Sequence, residues 1–418
     1  MHEPAPDAPT LADAARGLLS ARAVRERARA MLALAREDGL LACTVDLDRL
    51  PATADYVLDT MRRNYPALDI PFHARWRHFS VGGFDRWGTL TRNRRWTSAI
   101  ERGRAAFDIA IVSVLLDAGA GPGWSYAERE TGERYARSEG LAVASLRMAE
   151  AGLFSSDPRH PLRADAGALQ AVTPELLARG FAAGPDNPLV GLPGRASLLN
   201  RLGAVVAANP DVFAWVDDPR PGGLFDYLLA QAEGGTLPAE AILSAILTHL
   251  GPIWPARLSL GGVDLGDTWE HPLAPGTDGT AGLVPFHKLS QWLAYSLIEP
   301  LQEAGIAVTH IDGLTGLPEY RNGGLLLDMG VIRLKDAADG GRTHSVGSPL
   351  VVEWRALTVA LLDEIAALVR QRLGRTAEEL PLAKVLEGGT WSAGRRMARE
   401  RRGNGSPPLS IVSDGTVF

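Results

Sequence analysis

Between residues 97 and 118 the apolar side chains Ile100, Phe107, Ile111, Val114 and Leu115 return at the period of a helix, and that spacing predicts a long helix with one face buried. Comparable patterns predict helices over 11–36, 51–64, 138–154, 192–208, 223–232, 238–250 and 349–373, with two short ones reaching residue 402. Their boundaries carry chemical signals. Thr10 with Asp13 three residues on reads as a capping box. Pro51 suits a first helical turn, Ser138 and Thr173 suit N-caps, and Gly39 suits a stop. About a dozen helices stand against two or three short strands, among them a hairpin over 258–265 and a strand in the tail over 407–412, so the fold is expected to be mainly α. The stretch 66–93 loses the helical period and reads as a long structured loop, and 335–347 reads as flexible. The expectation is a single catalytic unit over 1–418, with candidate lobe boundaries at 119–123 and 335–347.

Composition narrows the function classes. A net charge of −6 disfavours a nucleic-acid backbone as the main partner. No apolar run approaches the roughly 18 residues of a membrane span, so no membrane partner is expected. The opening MHEPAPDAPT has no basic segment followed by an apolar one, and no signal peptide is expected. The single cysteine, Cys43, allows no internal disulfide and suits a cytoplasmic location. Basic residues are almost all Arg, which makes Lys288 conspicuous beside Lys335 and Lys384.

Three constellations carry chemistry. In the first, Arg75, Arg77, His78 and Arg86 lie among Trp76, Phe79 and Trp87 around Asp85. Guanidinium forks match phosphate oxygens and Trp offers a flat face, so this stretch suits an anionic ligand with a planar part; it equally suits a loop pinned down by its tryptophans. In the second, His287 and Lys288 open a helix whose N-terminus favours anions, with Gln291 one turn on. The third is Glu319-Tyr320-Arg321, set in a Gly- and Pro-rich turn after Asp312. A carboxylate held there can stabilise a developing cation or orient a water, as cleavage of a glycosidic bond requires; the alternative is a Glu–Arg pair closing a turn. Asp312 and Asp328 are candidate second carboxylates. Asp264, Asp267, His271 and His249 match no metal-ligand spacing, and no phosphate-cradling Gly motif or nucleophile elbow is present. No metal and no cofactor are expected.

The runs Arg75-Trp76-Arg77-His78-Phe79, Gly82-Gly83-Phe84-Asp85-Arg86, Phe286-His287-Lys288-Leu289-Ser290-Gln291-Trp292, Gly316 to Gly324, Val352-Glu353-Trp354-Arg355-Ala356 and the closing Val412 to Phe418 resemble the uracil-catabolism family of fungi and bacteria. That family belongs to the pyrimidine route through ribosylurea and was long known only as a domain of unknown function. The chain is also similar, more distantly, to the queuosine-salvage nucleotide glycohydrolases, helical proteins related in shape to DNA glycosylases. Their motif residues fall here on Phe286, Lys288, Gln291, Glu319, Tyr320, Arg321 and Gly330. The Asp those enzymes carry on the helix after the Gln is replaced by Tyr295-Ser296, which leaves Asp312 as the substitute.

These resemblances imply a mainly helical, two-lobed, DNA-glycosylase-like architecture. They imply an N-glycosidase that hydrolyses the C1′–N bond of ribosylurea or a ring-opened uridine nucleotide. Glu319 would be central, held by Tyr320 and Arg321. A 5′-phosphate would be met by Lys288, His287, Arg75 and Arg77, and a flat ureide would stack on Trp76, Trp87 or Trp292. The partner is a small ribosylated or nucleotide substrate, with a cyclohydrolase-type pathway partner as a further expectation. Two other classes stay open: a metal-dependent amidohydrolase acting on a pyrimidine-derived ureide, and a non-catalytic scaffold.

Overall fold

A computed structural model describes residues 10–117, 119–214, 218–254 and 257–412. The closing motif beyond Val412, and the expected helix end at Ala118, lie outside the described residues. The long helices form where the apolar period is strongest. Ala99–Leu115 is capped by Ser98 and is buried at every residue from Ala105 onward. Pro349–Leu373 is buried at every residue from Leu350 to Leu362, as expected of a helix apolar around its circumference. Lys288–Glu303 packs between Ala99–Leu115 and Ala239–His249. Buried apolar side chains from Ala21 to Leu409 join into one connected core. The protein is mainly helical, as its sequence pattern requires.

Strands are short and occur only as two-stranded pairs among the described residues. Ser259–Leu260 and Val263–Asp264 form the expected hairpin, turned by Gly261 and Gly262 at φ 56° and 79°; two successive positive φ values are what a type I′ turn needs. Cys43–Val45 pairs with Ile332–Leu334, joining distant parts of the chain.

Four local expectations change. The helix expected over 11–36 is two helices, Leu11–Gly17 and Ala21–Arg36, because Ser20 accepts the Ala23 N–H and starts a new one. The Thr10–Asp13 capping box is present. The stretch 66–93 contains two short helices, Arg75–Phe79 and Arg86–Arg92, each too short to show a helical period. Ser138 is not a cap: the helix Arg137–Glu150 begins one residue earlier, after Ala136. The segment 335–347 is folded, with a helical turn Ala337–Gly341 and a strand Thr343–Ser345 that pairs in parallel with Ser410–Val412.

The short helix Tyr320–Asp328 is gripped from two sides. A Cβ on Gly323 would lie 2.7 Å from the Trp354 ring, and one on Gly394 would lie 2.1 Å from the Arg321 carbonyl oxygen. Only glycine lets the helices Pro349–Leu373 and Trp391–Arg402 come this close.

Candidate active site

The helix Lys288–Glu303 is anchored at its start by a buried carboxylate. Asp267 accepts the Lys288 backbone N–H at 3.0 Å and Trp269 Nε1–H at 2.7 Å. It also receives a two-pronged pair from Arg355 at 2.9 and 2.8 Å. Burial opposes the Asp267 charge, but Arg355 together with the Lys288 and Trp269 N–H groups outweighs it and holds the carboxyl at about 2. Arg355 itself lies over the Phe286 ring at 4.0 Å. His287 takes a left-handed conformation, φ 48°, and donates from its buried ring to the Leu18 carbonyl at 2.9 Å. This clamp turns Lys288 toward a cavity of about 400 Å³. Burial and the nearby Arg355 lower the Lys288 pKa, while Glu319, Asp267 and Asp117 favour its charge.

Glu319 borders the same cavity from the start of the helix Tyr320–Asp328. Its carboxylate is the N-cap, accepting Arg321 N–H at 2.7 Å and Asn322 N–H at 2.6 Å. Each oxygen is thereby aimed while keeping a lone pair. Burial pushes the Glu319 carboxyl above the usual range, and those two N–H groups with Lys288 and Arg321 hold it down. Tyr320 also lines the cavity; burial raises its hydroxyl pKa against the pull of Arg321, so it keeps its proton.

Asp117, His73, His78, Trp292, Trp391, Arg137, Ser138 and the chain from Gly119 to Pro122 complete the wall. Asp117 follows the C-cap Leu116 of the buried helix Ala99–Leu115 and pairs through Oδ2 with the fully buried Arg75 at 3.1 Å. Its Oδ1 is buried without a protein partner, as are Trp292 Nε1 and one Arg75 nitrogen. Three such atoms at one place are uncommon in a folded protein and mark a polar site rather than a packing surface. Arg75 donates toward His78 Nδ1 at 3.4 Å, and the ring stands near Trp292 and Trp391. Burial and the Arg75 charge lower the His78 pKa to about 4. His78 is therefore neutral at pH 7, with Nδ1 accepting and Nε2–H free to donate. His73 is paired with Glu387 at 2.7 Å beside the Trp391 ring.

Of the residues read from sequence, Glu319, Tyr320, Lys288, His78 and Trp292 meet at this cavity, and Arg75 stands behind Asp117. Arg321 turns to a neighbouring pocket. The others have structural places. Trp76 is packed against Phe79 and Trp87 and donates to the Ser296 carbonyl. Arg77 pairs with Glu299 at 2.6 Å. Asp85 is the exposed cap of Arg86–Arg92, and Arg86 is buried against Glu128. Gln291 is locked onto Thr315. Asp312 holds Arg370 at 2.5 Å and the Leu382 N–H at 2.6 Å, outside the cavity wall, and Asp328 pairs with Arg402. His287 bonds the Leu18 carbonyl, Arg75 pairs with Asp117 and Arg77 pairs with Glu299, so the phosphate contacts expected of them would compete with these partners.

Asp117, His73, Trp391 and Arg137 were not singled out from sequence, and Ser138 only as a helix cap. Asp117 had one signal, a lone carboxylate between an apolar helix and the Gly-rich run from Gly119 to Gly123. No helix of the described residues is long and apolar enough to cross a membrane. No group of three or more His, Cys, Asp or Glu among them is arranged to hold a metal ion.

A sequence-family profile described as a protein of unknown function, DUF1688, matches residues 17–418. The chain is 40% identical over 409 residues to Protein urg3 of Schizosaccharomyces pombe, covering 96% of this chain and 98% of that protein. It is 36% identical over 408 residues to Uracil catabolism protein 4 of Lachancea kluyveri, covering 90% and 91% respectively.

Proposed function

The chain belongs to the DUF1688 family, and from that premise and its cavity we propose that it acts in uracil catabolism as an N-glycosidase. The relative named for uracil catabolism, similar over nearly its whole length, supports the pathway. The chemistry rests on one observation: Glu319 and Asp117, two aimed carboxylates, share a cavity with the indole rings of Trp292 and Trp391. Hydrolysis of a ribosylated urea breaks C1′–N and forms C1′–O with water. Positive charge develops on the sugar as the bond breaks, and a fixed carboxylate stabilises it.

In this reading Glu319 stabilises the oxocarbenium-like state or orients the water. The free oxygen of Asp117 accepts a water proton or a sugar hydroxyl. The leaving nitrogen takes up a proton, for which the cavity offers the Lys288 ammonium and the Tyr320 hydroxyl as donors. The flat ureide lies against Trp292 or Trp391, with His78 Nε2–H as a donor to its carbonyl.

Purified protein incubated with ribosylurea, its 5′-phosphate and UMP tests the reading. Release of urea or base with one equivalent of sugar is expected from at least one of them, insensitive to a chelator. Absence of sugar product from all three would refute it.

A further inference from the structure

Beside the cavity lies a second pocket of about 350 Å³. Five guanidinium groups line it, Arg134, Arg137, Arg321, Arg395 and Arg399, against one carboxylate, Glu139. Of these five, Arg395 alone forms an ion pair among the described residues, with Glu139 at 3.0 Å. Arg321 is nine-tenths buried, its guanidinium lies over the Tyr320 ring at 4.8 Å, its Nε has no protein partner, and its Nη1 meets the Gly405 carbonyl at 3.5 Å. Gathering like charges this way costs free energy unless an anion offsets it.

Another Arg-rich depression elsewhere on the chain shows the contrast. There Arg104, Arg159, Arg163 and Arg220 are paired with Asp226, Asp157, Asp218 and Asp108. Arg94 and Arg95 line that depression without an ion pair among the described residues, so four of its six arginines are neutralised; in the pocket next to the cavity one of five is.

The two pockets share a wall. Arg137 lines both. Glu319 and Tyr320 face the cavity while Arg321, the next residue, faces the basic pocket; two residues along a chain span at most about 7 Å. Arg137 sits at φ 55° at the start of Arg137–Glu150, a helix with no side-chain cap. A left-handed non-glycine residue is costly and persists where its surroundings impose it.

We infer that this pocket binds the phosphate of a substrate whose sugar occupies the adjoining cavity, making the protein selective for ribosyl compounds carrying a phosphate monoester. Arg forks suit phosphate oxygens geometrically as well as in charge. The inference rests on the proposed function for the identity of the sugar, and it moves the phosphate from Lys288 and His287 to Arg137, Arg321 and Arg399.

Calorimetric titration of the full chain with ribose 5-phosphate, ribose and sodium sulfate tests it. Ribose 5-phosphate is expected to bind at least tenfold more tightly than ribose. Arg399→Ala and Arg134→Ala, both at exposed positions that line the basic pocket and not the cavity, are expected to remove most of that advantage and leave ribose binding unchanged. Equal binding of ribose and its phosphate, sulfate binding as tight as the sugar phosphate, or indifference to both substitutions would overturn it. Neither readout involves bond cleavage. Arg-dependent binding without sugar release from any substrate would keep this inference and refute the hydrolase. Hydrolysis with equal KM for phosphorylated and unphosphorylated substrates would do the reverse.

Discussion

Arg75 and Asp117 form a buried pair, 3.1 Å apart, in which one carboxylate oxygen is spent on the guanidinium and the other is buried without a protein partner, in a residue that lines the cavity. Arg75 fixes the carboxylate in place beside the cavity. Asp117→Asn is expected to lower kcat by about 10²-fold or more. It should also cost roughly 3 kcal/mol of stability, because Arg75 is left buried without its counter-charge. The double variant Arg75→Met/Asp117→Asn should recover much of the stability and none of the activity. Unchanged kcat in folded Asp117→Asn would reduce Asp117 to a structural role.

Glu319 allows a cleaner separation, since Gln keeps an oxygen to accept one of the two N–H groups it caps. Glu319→Gln is expected to cost about 10²–10⁴ in kcat and no more than about 1 kcal/mol in stability, read by steady-state kinetics and urea unfolding. Because burial raises the Glu319 pKa, the acidic limb of kcat/KM should lie above the ordinary carboxylate value of 4.5. Lys288 favours the Glu319 charge, so Lys288→Met should move that limb to still higher pH. A limb that stays put separates Lys288 from the working carboxylate.

How far the sequence discloses this site depends on how local each relationship is. The buried helices Ala99–Leu115 and Pro349–Leu373 are legible because their periods repeat over several turns. The turn from Asp312 to Tyr320 stands out because ionisable groups are crowded into a Gly- and Pro-rich run. Partnership at long range is not legible. Arg86 has the look of a ligand contact until Glu128, 42 residues away, is seen against it. Asp312 has the look of a catalytic carboxylate until Arg370 is found, 58 residues on. Asp117 and Trp391 reach Glu319 only through the packing of Ala99–Leu115 and Trp391–Arg402, which no spacing in the chain encodes. The motif from Val352 to Ala356 reads as functional but acts at one remove. Arg355 holds Asp267 at the Lys288 turn, Glu353 ties down the backbone N–H groups of Leu41, Ala42 and Cys43, and Trp354 packs on Gly323.

His78 should leave a mark on stability as a function of pH. Its pKa is about 4 in the folded protein against an ordinary 6.5, so the unfolded chain binds the proton more readily. Stability is then fully present above pH 6.5 and falls as the pH drops toward 4, by up to about 3 kcal/mol from this residue. Urea midpoints measured between pH 4 and 7.5 should show that slope. In His78→Phe it should flatten across the same window, and a wild-type slope retained in the variant would assign the dependence to other groups.

Gly394 tests whether the two pockets depend on one helix contact. The Cβ of Gly394→Ala would meet the Arg321 carbonyl oxygen, a backbone atom, so the helix Trp391–Arg402 has to move away from Tyr320–Asp328. Overpacking of this kind costs about 1–3 kcal/mol. The displacement carries Trp391 out of the cavity wall and Arg395 and Arg399 out of the basic pocket, while tilting the turn that aims Glu319. Gly184→Ala, where an added Cβ meets nothing within 4 Å, is the matched control and should stay within about 0.5 kcal/mol. Urea unfolding with kcat and KM for both variants checks this. Gly394→Ala should lose kcat and weaken ribose 5-phosphate binding together, because one rigid contact serves both pockets. A loss confined to stability would mean that the site tolerates movement of this helix.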